Sequence, residues 1–259
     1  MKKYSICNSL IFVLALLITV GYPLDGQKSH NVIFTFYGQA CFIMTTSQGT
    51  RILTDPMKLD GYPLPEDLTA DIVTVSHLHR DHNYVEAAKG KPRVLYGMQG
   101  KAGDELHHAF VPVDEKIKDV RIFNVLSNHF DPNMNPTANA IFVFEFDGIR
   151  VVDLGDIGTV LSVEQMKKIG QVDVLMIPVG EKYTVTLSQA DSIVTQLKPK
   201  MIVFPMHFKT DAAQFLPTTA EDFLKGKPNV ERIAANTYLL NPMKKEAGMK
   251  YVLLDYKNR

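Results

Sequence analysis

The sequence predicts a mixed α/β fold in one domain, on three observations. From His30 onward short β-type runs alternate with helical stretches. The strand-like runs fall into two groups, each followed by helices, and no linker rich in proline, glycine or serine separates the groups. Hydrophobic residues are 46% of the 259, enough for a sizeable core and too many for a disordered chain.

Taken in order, "NVIFTFYGQACFIMTT" and "TRILTDP" flank the turn "SQG" and read as paired strands, and "DIVTVSH" reads as a strand buried on both faces. "HNYVEAAKG" reads as a helix ending at Gly90, with Pro92 beyond it. "PRVLYG", "VRIFNVLSNH", "AIFVFEFDG" and "IRVVDLGD" add strands, the last two joined as a hairpin by the "DG" turn at Asp147 and Gly148. "SVEQMKKIG" is expected to be a helix and "VDVLMIPVG" a buried strand. "LSQADSIVTQLKPK" is expected to be a helix opened by Ser188 and stopped near Pro199, followed by the strand "MIVFPMHF". A short helix at "TAEDFLKG" precedes closing strands at "RIAANTYLL" and "KYVLLDY". The segment "KLDGYPLPEDL" reads as a loop that borders a pocket.

Charge is balanced at 28 basic and 28 acidic residues. The basic footprint of a protein that grips nucleic acid is therefore missing, and a small-molecule substrate is the expected partner. Two lysines, an apolar run to Val20, and then Gly21 and Pro23 form a secretory pattern. Residues 1–26 are read as a signal peptide or an N-terminal anchor, and residues 27–259 as the single domain. The expected location is periplasmic or extracellular, with membrane contact only through an uncleaved N-terminal segment. Removal of that segment takes Cys7 with it, and Cys41, a core residue in "ACFIMTT", is left without a disulfide partner.

Chemistry concentrates in "VSHLHRDHNY", where His77, His79, Asp81 and His82 fall within six residues directly after a buried strand. Side chains at i and i+2 of an extended chain point the same way, so His77 and His79 can reach one point. Asp81 and His82 turn toward a second. A catalytic zinc-type site uses about three protein ligands and keeps a position for water, so four such residues suggest two neighbouring metals.

The pattern His77-Leu78-His79-Arg80-Asp81-His82 resembles the HxHxDH signature of the metallo-β-lactamase superfamily. That resemblance implies a four-layer αβ/βα sandwich and three further ligands at strand ends. His129 follows "IFNVLSN", Asp156 follows Gly155, and His207 closes "MIVFPMH". It also implies that His77, His79 and His129 hold one metal, that Asp81, His82 and His207 hold the second, and that Asp156 bridges them. His107 and His108 follow no strand and are weaker candidates for the third histidine. Asp153 and Asp55 read as supporting residues, Met206 as packing and His30 as solvated. "YGQACF", "LTDP", "PVGEKYT" and "PKMIVFPMHF" are most similar to the branch of L-ascorbate-6-phosphate lactonase. The chain departs from that branch at Glu181, which stands for a glycine, and at Gln39, which stands for a histidine. Ile157 stands where the family's "GDT" has threonine.

The implied activity is that of an exported binuclear hydrolase using two divalent ions, zinc first and manganese or iron next. Two ions about 3.5–4 Å apart can share a hydroxide and polarise a carbonyl or phosphoryl oxygen, so the expected substrate is a small ester, lactone, amide or phosphoester. Asp81 and Asp156 are the catalytic carboxylates of this reading, and Tyr183 and Lys209 are the candidates to contact substrate. A phosphodiesterase acting on nucleic acid or phospholipid and a non-catalytic metal-binding protein are the competing functions.

Overall fold

The computed structural model describes residues 31–101, 104, 108–130, 133–244 and 248–257. The expected signal segment, His30 and His107 lie outside the described residues. Among the described residues there are sixteen strands and three α-helices. The first sheet is built from β1 (Val32–Gly38), β2 (Cys41–Thr45), β3 (Arg51–Thr54), β4 (Ile72–Val75) and β5 (Arg93–Tyr96). A two-stranded ribbon, β6 (Met98–Gln99) and β7 (Ala109–Phe110), leads to β8 (Asp114–Ile117), β9 (Val120–Phe130), β10 (Pro136–Phe146) and β11 (Ile149–Asp153). α1 (Val163–Ile169), β12 (Val174–Pro178), α2 (Leu187–Leu197), β13 (Ile202–Met206), α3 (Ala220–Leu224), β14 (Val230–Ile233), β15 (Thr237–Leu240) and β16 (Lys250–Leu254) complete the chain.

Spatially the first sheet runs β15-β1-β2-β3-β4-β5 and the second β14-β16-β13-β12-β11-β10-β9-β8. The two sheets pack face to face, as the α/β sandwich expectation requires. Strand alternation sorts the side chains of the first sheet. Phe42, Met44, Ile52 and Ile72 enter the core between the sheets, while Cys41, Ile43, Leu53 and Val73 join a second cluster on the outer face. Phe204 of β13 packs across the interface, with tilted rings, against Phe34 of β1 (5.2 Å between ring centroids) and Phe42 of β2 (5.7 Å). Burial of such rings is the largest apolar contribution available to the two layers.

The three α-helices follow β11, β12 and β13, and each opens with a capping box, at Ser162, Thr186 and Thr219. The cap of α2 is thus Thr186 rather than Ser188. The "DG" hairpin forms as expected, with Asp147 and Gly148 both at positive φ.

Three expectations need correction. "HNYVEAAKG" forms only a 3₁₀ turn over Val85–Ala87, because the Tyr84 N–H donates to the Pro56 carbonyl and the Lys89 N–H to the Leu68 carbonyl. The loop ahead of β4 thereby takes donors that a helix would need. The outer face of the first sheet is covered by that loop, through Met57, Tyr62 and Leu68, and by Ala213 and Leu216. "NVIFTFYGQACFIMTT" breaks at Gln39, whose φ of 49° turns β1 into β2. "RIAANTYLL" splits into β14 and β15, which belong to different sheets.

Candidate metal centre

The parallel strands β4, β11 and β13 all end at one edge of the sandwich, the usual place for a site in an α/β fold. His77 follows β4, Asp156 follows β11 and His207 follows β13, while His129 sits near the end of β9. All seven residues expected from the sequence meet there. Their candidate ligand atoms form three overlapping groups, His77–His79–His129, His77–His82–Asp156 and Asp81–His82–His207, with the atoms of each group within 4.8 Å of one another. Asp156 stands between the others: its Oδ2 is 3.2 Å from His207 Nε2, 3.3 Å from His82 Nε2 and 3.9 Å from His77 Nε2.

Local structure explains each placement. Gly155 takes φ of 54°, and a Cβ there would lie 2.5 Å from Asn139 Oδ1 and 2.7 Å from Ser76 Cβ, so only glycine lets β11 turn Asp156 inward. His207 itself adopts φ of 47°, with its N–H donating to the Gln39 carbonyl at 2.8 Å. Asp55 has φ of 40°. Two non-glycine residues, Asp55 and His207, in the left-handed region around one centre are the kind of strain that functional sites hold.

A supporting layer surrounds the seven. Asp55 accepts the Ser76 N–H (2.7 Å) and Ser76 hydroxyl (2.6 Å) and faces His82 Nδ1 at 2.9 Å. Ser76 Oγ in turn meets His77 Nδ1 at 3.0 Å. In this way one buried carboxylate orients two imidazoles and leaves their Nε2 atoms toward the centre. The β9–β10 register sets Thr137 opposite His129 and Asn139 opposite Ser127. Thr137 Oγ1 meets His129 Nε2 at 2.6 Å, and Asn139 donates to Ser127 Oγ and the Leu154 carbonyl while its Oδ1 accepts the Asp156 N–H. Sequence reasoning missed Ser76, Thr137 and Asn139. Their one signal was polarity at buried positions of otherwise apolar strands.

The supporting expectations for Asp55 and Asp153 hold in geometry. Asp153 is buried at the end of β11 and accepts the Gly155 N–H. Burial, and then the Asp55 charge, push its carboxyl up to about 8. Burial holds His77 well below the usual imidazole value, reinforced by His82, His129 and His79. Burial also takes His129 down to about 4. For His82 burial acts downward too, but Asp156, Asp81 and Asp55 outweigh it and keep it raised. Asp156 runs the other way: burial acts upward, and His207 and His82 outweigh it, holding the carboxylate below its usual range.

The donor set fits divalent ions. Imidazole nitrogen with carboxylate oxygen is the chemistry of borderline ions, and His82 Nε2, Asp156 Oδ1 and His207 Nδ1 are buried with no hydrogen-bond partner among the described residues. A bound cation is the natural way to satisfy such atoms. Of the remaining candidates, Tyr183 accepts the Phe130 N–H through its carbonyl and so stands beside the end of β9. Lys209 follows β13 and places its charge where Asp222 feels it, at the start of α3. His108 Nε2 donates to the Lys101 carbonyl at 3.0 Å, and His108 belongs to none of the three groups.

The profile of the beta-lactamase superfamily domain matches residues 33–207, from β1 to the last of the seven. The chain belongs to the metallo-β-lactamase superfamily. A protein of Thermococcus onnurineus named as a UPF0173 metal-dependent hydrolase is 30% identical over 193 residues, covering 68% of this chain and 84% of that one. A relative of the same name from Pelotomaculum thermopropionicum is 28% identical over 231 residues, 80% of this chain and 96% of that one. Among solved structures, a protein of Thermotoga maritima described as a Zn-dependent hydrolase of the metallo-β-lactamase superfamily superposes with a TM-score of 0.67 at 33% identity, over 86% of this chain and 98% of that one. As a metallo-β-lactamase superfamily member in the company of these relatives, the chain is a metal-dependent hydrolase.

Proposed function

We propose that the chain hydrolyses a small ester, lactone, amide or phosphoester at a centre of two divalent ions, zinc being the first candidate, and that it does so outside the cytoplasm, as its N-terminal pattern suggests. The observation that carries this reading is the overlap of the three ligand groups: His77 and His82 each belong to two of them, and Asp156 lies between. One set of three ligands would serve one ion, whereas seven residues in overlapping sets suit two. His77, His79 and His129 would hold one ion, Asp81, His82 and His207 the other, with Asp156 shared.

Ions held this way acidify water and polarise a carbonyl or phosphoryl oxygen. The protein's own part is to position and to exclude. Asp55 and Ser76 fix the ring orientation of His82 and His77. Asp81, partly exposed, is placed to orient the attacking water. Asp156, held as a carboxylate by His207 and His82, would serve as the shared ligand, and water would supply the proton to the leaving group. Tyr183, whose carbonyl meets the end of β9, would be a substrate contact.

Metal analysis tests the reading. Near two equivalents of one transition metal in the parent, and fewer in Asp156→Ala, together with turnover of an ester, lactone or phosphoester panel, is the expected result. Protein that stays metal-free after exposure to zinc and manganese would end it.

The site also predicts acid sensitivity. His129 titrates near 4 in the fold against 6.5 when unfolded, and His77 is displaced the same way. A depressed native value means that the contribution is complete above the unfolded value and is lost as pH falls through the native one. For His129 this is on the order of 3 kcal/mol. The depressed Asp156 extends the loss to pH below 3.8, its unfolded value, while His82, raised, loses its contribution as pH climbs above 6.5 through its native value. The metal-free protein should therefore weaken between about pH 6.5 and 4, read as a falling urea midpoint. A midpoint constant across that range would contradict the burial of neutral imidazoles.

A further inference from the structure

Of the seven converging residues, only His79 and Asp81 are partly exposed; the other five are buried. The route to the centre therefore opens at the loop that carries these two, and Arg80 stands exposed between them. That loop is held in place by three hydrogen bonds: the His82 N–H donates to the His79 carbonyl (3.0 Å), Asn83 Nδ2 to the Leu78 carbonyl (2.7 Å) and the Tyr84 N–H to the Pro56 carbonyl (2.8 Å). The last of these brings the segment containing Lys58 alongside. A cavity of about 410 Å³ adjoins that loop through Arg80 and Asn83, lined also by Lys58, Tyr84, Glu86 and Tyr96 among others.

Arg93, Arg121, Arg150 and Arg232 each pair with a carboxylate. Neither Arg80 nor Lys58 enters an ion pair among the described residues, and Lys58 Nζ instead lies 5.3 Å from the centroid of the Tyr84 ring. Two cations and the single carboxylate of Glu86 leave one net positive charge in the cavity lining. That balance suits a monoanion better than a dianion.

We propose that this cavity is a substrate subsite for a carboxylate-bearing group, with Arg80 and Lys58 as its charged contacts and Asn83 as a further amide donor. The inference rests on the hydrolase reading, because it supplies the specificity of that same centre. A guanidinium presents a planar fork to a carboxylate, and an ammonium adds a second charge without fixed geometry. Substrates would then be acid-bearing esters, lactones or amides, bound with the anion at the rim and the scissile group over the centre.

The test uses the full metal-loaded chain and two readouts. In the first, titration calorimetry compares 5-phenylvalerate, a monoanion, with neutral 5-phenylpentanol, on the parent and on the double variant Arg80→Ala, Lys58→Ala. The expected result is a roughly tenfold loss of valerate affinity in the variant, lessened by added salt, with alcohol binding and metal content unchanged. Arg80→Lys should keep most of the affinity. Valerate that binds the double variant as well as the parent, or that binds neither, overturns the subsite. In the second, mono-p-nitrophenyl glutarate is compared with p-nitrophenyl butyrate: the double variant should raise KM for the glutarate ester alone. An inactive parent that still binds valerate through Arg80 and Lys58 would end the ester-hydrolysis reading and leave the subsite standing. An active parent whose ester preference ignores both substitutions would do the reverse.

Discussion

His77→Ala should remove most of the bound metal and lower hydrolysis by a factor on the order of 10³ or more, because water loses the acidification that brings its pKa from about 15.7 toward 7. His77 is the middle of the cluster. Its ring lies 4.1 Å from that of His82, 4.3 Å from His129 and 4.6 Å from His79, and it belongs to two of the three ligand groups. One substitution thus weakens both proposed positions. The fold should tolerate it, since His77 is already kept neutral by burial and by the imidazoles around it, and its removal strips no charge from the metal-free protein. Mass spectrometric metal content, circular dichroism and a hydrolysis assay read the three outcomes together. Turnover within tenfold of the parent, with metal retained, would take His77 out of the centre.

Asp55→Ala should do its damage from outside the ligand set. Its carboxylate is the acceptor for two donors on Ser76 and the partner of His82 Nδ1, and all three are buried. Removing one member of a buried charged pair costs about 3–5 kcal/mol, and loss of an outer partner to a metal-binding histidine lowers affinity roughly 10- to 100-fold. Urea unfolding and a chelator competition measure the two effects separately. An unchanged chelator midpoint alongside reduced stability would make Asp55 a fold residue only. Asp55→Asn should fall between, since it keeps one acceptor for Ser76 but loses the charge opposite His82.

The metal centre was legible because its chemistry is dense and its spacing periodic: His77 and His79 alternate on extended chain, and Asp156 and His207 stand where apolar strands end. The supports were less legible for a physical reason. Ser76, Thr137 and Asn139 matter through cross-strand and cross-sheet partners, and no single stretch of chain shows that Thr137 lies opposite His129. The same non-locality hid the fate of "HNYVEAAKG", whose helix is forestalled by carbonyls of Pro56 and Leu68, and of "RIAANTYLL", which changes sheets near Asn236, whose carbonyl takes the Phe36 N–H. Strands buried on both faces, such as β12, were easy to recognise from their apolar runs, but their order in the sheet was not.

The pairing of β15 with β1 has a consequence for the birth of the molecule. Thr35 and Thr237 meet side by side although 202 positions separate them. On a ribosome adding about 5–20 residues each second, β1 emerges and then waits roughly 10–40 s for the strand that closes its outer side. Until then its open hydrogen-bonding edge is a template for other nascent chains. Nascent protein stalled short of Thr237 should be the form most prone to aggregate and most dependent on chaperones, although all seven converging residues, from His77 to His207, have already been made.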